Sequence, residues 1–556
     1  MRGDLEFGSI PRLVHTAAAR YADREAVVDG RTRLTYRELG ERVDRAAAAC
    51  LALGVEAGDR VAVWAPNTVD WIVSALGAVT AGAVLVPVNT RFKGAEAVQV
   101  LARTRVRLLF VTGTFLGTSY VATLRSAARA GAGAAPGAAP GAALGAAPGA
   151  APRAAGPLLG LPELRDVVVL ADDAPADFHG RQEFLAAGNA VPARSVQARA
   201  DSVDPDAPSD ILFTSGTTGV PKGAVITHAQ TLRAFGDWST LAGLREGDRY
   251  LIVNPFFHTF GYKAGVIASL MRGATMVPQA VFTPEAVLAT VAAERITVLP
   301  GPPTLYQSLL DHPARGGHDL SSLRVVVTGA AVVPRPLIDR LRGELGVPTV
   351  LTAYGMSEAT GLVTMCRRGD PAEKVATTSG RAVPGTEVKV VGADGAVLPP
   401  GGAGEILVRG YQVMSGYFED AGATARAVDR EGWLHTGDVG VLDGEGNLRI
   451  TDRVKDMFVV GGFNVYPAEV ERVLARHPGI AEAAVVGMPD ARLGEVGRAF
   501  VVRRAGVEPE LTAERLIAWA RREMANYKVP RGVEFVRSLP RNAAGKVLKR
   551  KLRDLP

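Results

Sequence analysis

Apolar positions along the chain switch repeatedly between a helical period and short uninterrupted runs, and that switching predicts alternating helices and buried strands. The spacing predicts a helix over Leu13 to Tyr21, a strand over Glu25 to Val28, and a second helix over Tyr36 to Leu53. Thr35 stands in capping position before that second helix. The apolar run VAVWAP at 61–66 reads as a strand, Ile72 to Ala81 as a helix, and AVLVPVN at 83–89 as the next strand. Strand, helix and strand of these lengths make a βαβ unit, hence a parallel sheet covered by helices. The same alternation returns with helices at Pro284 to Glu294 and Pro303 to Leu310, a strand at Val298-Leu299 and the run VVVTGAA at 325–331. The last hundred residues predict helices over Glu469 to Arg476 and Thr512 to Met524, with strands over Ala481 to Val486 and Ala499 to Val502. The expected fold class is α/β: a large N-terminal domain of parallel or mixed sheets with covering helices, followed by a small α+β C-terminal domain.

One segment breaks the pattern. Residues 127–157 repeat Ala, Gly and Pro with little to bury, and prolines every few residues forbid a continuous helix, so a disordered surface insertion is expected there. At 556 residues the chain exceeds one compact core. A hydrophobic share of 47% with 22% charged residues is that of an ordinary soluble globular protein. The net charge of +6 is spread through the sequence; it suits anionic small molecules and is too diffuse to argue for nucleic acid. Two cysteines, Cys50 and Cys366, imply no disulfide framework. With no signal-like N-terminus and no run of about 18 apolar residues, no integral membrane association and a cytoplasmic location are expected.

The candidate chemistry begins at Thr214 to Lys222, TSGTTGVPK, which follows the strand-like Ile211-Leu212-Phe213. Two glycines permit close backbone approach, Thr214, Ser215, Thr217 and Thr218 supply hydroxyl donors, and Lys222 supplies a mobile positive charge. That is what a loop wrapped around a polyphosphate needs, although a polar turn between two strands has the same composition. The spacing is not that of a Walker A loop, because Lys222 follows Pro221 and precedes Gly223. Gly329, Ala330 and Ala331 end an apolar strand, an edge at which open α/β sheets bind ligands.

TSGTTGVPKGAVITH resembles the signature loop of the adenylate-forming superfamily of acyl-CoA synthetases, adenylation domains and luciferases. TAYGMSEATG at 352–361, GWLHTGD at 432–438, TDRVKDMFVVGGFNVYP at 451–467 and the terminal LPRNAAGKVLKRKLR match further motifs of that family in its order. The resemblance implies activation of a carboxylate by ATP to an acyl-AMP, then transfer to a thiol. It assigns the phosphates to Thr214, Ser215, Gly216, Thr217, Thr218, Gly219 and Lys222, and the adenine wall to Gly329, Ala330, Ala331, Tyr354 and Gly355. Ser357, where the family usually has Thr, would offer a hydroxyl to phosphate. Glu358, with Thr218, would hold Mg²⁺. Asp438 and Arg453 would bind the ribose, and Lys546 would offset charge building on the α-phosphorus. The resemblance puts a hinge at Lys455 and a pantetheine tunnel at Gly461 and Gly462. It sets domains of 1–452 and 456–556 about a hinge at 453–455.

LIVNPFFHTFGY at 251–262 carries His258, which in the family lines the acyl pocket, so that pocket is expected to be shaped by Phe257, His258, Tyr262 and Lys263. NPFFHTFGYKAG further resembles a branch of actinobacterial ligases acting on the bicyclic propionate left by steroid ring degradation. The expected function is therefore an AMP-forming acyl-CoA ligase using ATP, Mg²⁺ and coenzyme A on a bulky alicyclic or a medium-chain acid. Catalytic roles fall to Thr214, Lys222, His258, Glu358 and Lys546. The alternatives are an acyl-AMP ligase that loads a carrier protein and a catalytically silent nucleotide-binding protein.

Overall fold

The structure is a computed structural model describing residues 2–132, 160–214, 221–329, 335–392, 394–453, 458–465, 467–504, 511–540, 547 and 549–553, with the side chains of 130–132, 335, 451–453, 464, 468, 472 and 550 left aside. Most of the expected insertion, the hinge residue Lys455 and the lysine Lys546 therefore lie outside the described residues.

The expected βαβ unit forms around Arg60–Trp64, Val69–Thr80 and Val84–Pro87, whose two strands pair in parallel. They sit inside an eight-stranded sheet ordered Gly416–Tyr417, Lys222–Thr227, Pro208–Thr214, Val84–Pro87, Arg60–Trp64, Leu108–Val111, Asp166–Val169 and His179–Gly180. These strands are uninterrupted apolar runs because helices cover them; Val61, Ala62, Val63, Leu85 and Phe110 are fully buried. The helix Tyr36–Ala52 starts where expected, since Thr35 and Glu38 form a reciprocal capping box. The Glu38 N–H donates to Thr35 Oγ1 at 3.2 Å and the Thr35 N–H to Glu38 Oε2 at 2.8 Å.

A second layer holds two four-stranded sheets. One is ordered Arg249–Ile252, Thr275–Pro278, Glu25–Asp29 and Thr32–Thr35. The other is ordered Val325–Gly329, Thr349–Tyr354, Thr364–Met365 and Arg381–Ala382. Val298 bridges them, pairing in parallel with Tyr250 on one side and Val325 on the other. The short strand expected at Val298-Leu299 is thus this single seam. A separate antiparallel sheet of Thr386–Val391, Ala403–Gly410, Leu434–Leu442 and Leu448–Arg453 completes the large N-terminal domain.

The small C-terminal domain is built on a five-stranded sheet in which Ile480–Asp490 and Gly494–Arg503 pair antiparallel and Gly532–Phe535 adds in parallel. The helices Pro467–Leu474 and Ala513–Glu523 cover it, closing a core around Phe458, Val485, Val501 and Leu516 that is separate from those of the large domain. No helix among the described residues is long and apolar enough to cross a membrane.

The small domain meets the large one along residues 89–96. The Asn89 side-chain amide donates to the Tyr527 hydroxyl at 3.2 Å, and the Arg91 guanidinium lies 4.2 Å from the centre of the Phe463 ring. Lys528 Nζ reaches Glu96 Oε1 at 2.7 Å and its own domain's Glu469 Oε1 at 2.5 Å.

Candidate active site

The signature strand Pro208–Thr214 runs out of the eight-stranded sheet and returns antiparallel as Lys222–Thr227, with Thr214 opposite Lys222. The intervening Ser215, Gly216, Thr217, Thr218 and Gly219 lie outside the described residues. Both ends of that loop are held. The Arg103 guanidinium donates to the Pro221 carbonyl at 2.7 Å, and Lys222 Nζ stands 4.9 Å from the centre of the Tyr417 ring. Arg103 was not anticipated: it comes from a helix 118 positions away, and nothing in its local pattern marks it.

Across from the strand end, Glu358 sits on a single turn, Ser357–Ala359, after the strand Thr349–Tyr354. The residue is only 7% exposed, and Oε1 accepts from the Thr214 hydroxyl at 2.9 Å and the Tyr417 hydroxyl at 3.0 Å. Two residues 144 positions apart in sequence, Thr214 and Glu358, are therefore in direct contact. The turn closes through Thr360, whose φ of 57° is uncommon for a branched side chain, and its hydroxyl donates to the Gln412 carbonyl at 2.7 Å. Gly355 is required by close approach, because a Cβ there would meet the Gly361 carbonyl oxygen at 2.1 Å.

Four residues before Glu358, the Tyr354 hydroxyl donates to Asp438 Oδ2 at 2.7 Å. Asp438 and Arg453 are cross-strand partners in the antiparallel pair Leu434–Leu442 and Leu448–Arg453, so their backbones are adjacent; the Arg453 side chain lies outside the description. Gly329 ends the neighbouring strand opposite Ala353, while Ala330 and Ala331 lie outside the described residues. Thr214, Lys222, Gly329, Tyr354, Gly355, Ser357, Glu358 and Asp438 thus converge on the loop edges of adjoining sheets, where α/β folds bind ligands.

His258 caps the turn Thr259–Gly261, its Nδ1 accepting from the Phe260 N–H at 3.2 Å, which leaves the ring proton on Nε2. The residue is exposed to solvent, yet protein packs closely around it. That enclosure pushes its pKa down to about 4, so the imidazole is neutral near pH 7. The expectation for the neighbouring Tyr262 and Lys263 is corrected. Both are fully buried, on the π-helical stretch Tyr262–Ile267, and Lys263 Nζ lies 2.9 Å from Asp210 Oδ1 and 2.9 Å from Thr231 Oγ1. An ammonium so placed needs a buried counter-charge, and Asp210 supplies it four residues before Thr214.

The model of the AMP-binding enzyme family matches residues 14–418, and that of the AMP-binding enzyme C-terminal domain matches 469–546. The chain belongs to the AMP-binding enzyme family. It is an ATP-dependent acyl-CoA ligase of that family, working through an acyl-adenylate. It is 48% identical, over 98% of both chains, to a Rhodococcus jostii CoA ligase for a propanoyl group carrying a 7a-methyl-1,5-dioxo-octahydro-1H-inden-4-yl ring system. Among solved structures it resembles the o-succinylbenzoate CoA synthetase of Bacillus subtilis bound to a product analogue, OSB-NCoA, with TM-score 0.76 at 26% identity over 98% of each chain. It also resembles ATP-bound MatB of Rhodopseudomonas palustris, with TM-score 0.63 at the same identity and coverage.

Proposed function

We propose that this ligase activates a bulky bicyclic propanoate of the kind its Rhodococcus relative acts on. The observation that carries the reading is identity of 48% with that ligase over 98% of each chain. The contacts Thr214–Glu358 and Tyr354–Asp438 support it by bringing the expected phosphate and nucleoside residues to one place.

In the first half-reaction a carboxylate oxygen of the acid bonds to the α-phosphorus of ATP as the bond to pyrophosphate breaks. In the second, the CoA sulfur bonds to the acyl carbonyl carbon, AMP leaves, and the thiol proton passes to solvent. No side-chain nucleophile is required; the chain's part is position and charge. In this reading Tyr354 would offer a ring face to adenine, Asp438 and Arg453 would serve the ribose, and Lys222 and Lys546 would offset phosphate charge.

Glu358 fits a Mg²⁺ ligand: its carboxylate is buried and oriented by two hydroxyls, and Mg²⁺ commonly takes one or two carboxylates plus substrate phosphates and water. Among the described residues no group of three or more His, Cys, Asp or Glu side chains is set to hold a metal ion by itself, and the reading has Mg²⁺ arrive with ATP. Such an ion, with Glu358 and Thr218 beside it, would neutralise charge on the leaving pyrophosphate.

The division at 453–455 belongs to the same proposal, and the present placement of the small domain is read as the thioester-forming one. The turn Gly461-Gly462 supports it, since a Cβ on Gly462 would lie 3.3 Å from Pro302, next to the Gly301–Thr328 bridge at the ligand edge of the sheet. The better overlay on the relative holding a CoA product analogue than on the ATP-bound one supports it as well.

The test is pyrophosphate release across a panel of carboxylic acids, with and without CoA. Preference for bicyclic propanoates is expected; preference for straight-chain acids would refute the substrate assignment. In the same assay Lys546→Ala should remove most adenylation while ATP binding persists, and unchanged release would take Lys546 out of the mechanism.

A further inference from the structure

Among the described residues Lys528 is a deeply enclosed charge at the boundary between the two domains, with a side chain 2% exposed. It lies between two carboxylates, Glu96 of the large domain at 2.7 Å and Glu469 of the small domain at 2.5 Å, and its Nζ is 4.6 Å from the centre of the Phe92 ring. Glu96 divides its work between its two oxygens. Oε1 takes Lys528, while Oε2 accepts from the Lys93 N–H at 2.9 Å and closes the start of the helix Gly94–Arg103. If the small domain swings away, Glu96 keeps the helix terminus and Lys528 keeps Glu469. Neither charge is orphaned, and both regain water. A contact with that property is strong when closed and inexpensive to open, unlike an ordinary buried pair whose separation strands a charge.

Around it lie further contacts across the boundary, among them the ring and amide contacts of Tyr527 and Phe463. Phe463 and Tyr527 stack at 4.7 Å, with Arg91 and Asn89 of the large domain against them. Within this group Glu96 is the one carboxylate from the large domain reaching the small one.

We propose that Glu96 is a positioning residue for the thioester-forming half-reaction: through Lys528 it latches the small domain in the arrangement seen here. The proposal rests on reading that arrangement as the one in which CoA attacks. It assigns Glu96 no part in adenylation and no contact with any reacting atom.

Glu96→Gln tests it, because the amide oxygen still accepts from Lys93 and only the charge facing Lys528 is lost. Acyl-adenylate is formed without CoA and then mixed rapidly with CoA. The expected result is transfer slowed about tenfold, in line with loss of one charge-assisted bond, with CoA-independent pyrophosphate release unchanged. Unchanged transfer, or equal slowing of both half-reactions, overturns the proposal.

A second measurement stands apart from chemistry. Dyes on Leu116→Cys and Arg522→Cys report the interdomain distance by energy transfer; Leu116 is exposed, and the native Cys50 and Cys366 are both buried. Glu96→Gln should shift the distance distribution away from the closed value; an unmoved distribution overturns the latch. If the parent protein releases pyrophosphate yet makes no thioester with free CoA, the functional reading fails, and the dye pair still decides the latch.

Discussion

Among the described residues two lysines are almost wholly withdrawn from water, and they are built in opposite ways. Lys263 lies inside the large domain against Asp210, both with fully buried side chains, and burial lowers the Lys263 pKa despite its partner. Lys528 lies between domains; burial opposes its charge too, yet Tyr527, Glu96 and Glu469 together raise its pKa. One carboxylate is enough where nothing moves, since the pair is made once, during folding. Two carboxylates, one from each body, are what a separable contact needs, because each body must leave with its charge satisfied. The contrast teaches that burial alone does not tell a structural ion pair from a moving one; the way the counter-charges are shared between bodies does.

The comparison can be broken first at Lys263. Lys263→Met leaves the Asp210 carboxylate buried without its cation and should cost about 3–5 kcal/mol of stability. Chemical denaturation would measure it, and the double variant Lys263→Met/Asp210→Asn should recover most of the loss. Recovery of none would mean that the pair is not the unit described here.

Acid sharpens the contrast next. His228 is buried beside Lys263, accepts from the Ile10 N–H through Nδ1 at 3.2 Å, and has its pKa pushed down to about 3 by burial, with the nearby Lys263 charge adding to it. The unfolded chain takes up a proton near pH 6.5 and the folded chain does not until about pH 3. Stability should therefore fall as pH drops through that window, by about 1.4 kcal/mol per pH unit for this one group. The Lys528 cluster works the other way: its contribution is fully present below the ordinary lysine pKa and is lost only as pH rises through the raised one. Melting curves between pH 7 and 5 should show a decline in wild type that is reduced in His228→Asn.

At the boundary itself, Lys528→Met removes the cation from two carboxylates that can both turn to water when the domains part. A loss of about 1–3 kcal/mol is expected, smaller than at Lys263 and confined to the small domain. Hydrogen exchange should show it in the sheet around Ile480–Asp490 and leave the eight-stranded sheet unchanged. The smallest effect is expected at Tyr417→Phe, which removes one of the two hydroxyls on Glu358. A cost of about 1 kcal/mol, a few-fold in pyrophosphate release, would be read from initial rates with the melting temperature held.

Much of the fold was legible because its signals are local. The Thr35 capping box lies within one helical turn, and the βαβ period from residue 61 to 89 and the small domain's strand and helix alternation are read one short segment at a time; each formed with ends shifted by a few residues. The seam at Val298 was legible as a strand but not as the joint between two sheets, since a bridge to partners on both sides is a property of the assembled layer. Within the site, Thr214, Tyr354, Glu358 and Asp438 were named by motif, and their contacts bear on that choice. Tyr417 and Arg103 were not, because each reaches the site from an element distant in sequence. Lys263 was misread as a pocket residue. Its neighbours His258 and Phe260 do line a turn at the surface, but a π-helical register rotates Lys263 toward a strand 53 positions upstream, which no period in the sequence encodes.

Gly355 limits how this enzyme can be re-engineered. With the Gly361 oxygen 2.1 Å from where a methyl would begin, the bend that aims Glu358 accepts no side chain at all. Under the proposed assignment of the Tyr354 ring to adenine, a change of nucleobase would have to leave that bend alone and alter Tyr354 or its neighbours. A library randomised at residue 355 should return glycine and little else among its active members.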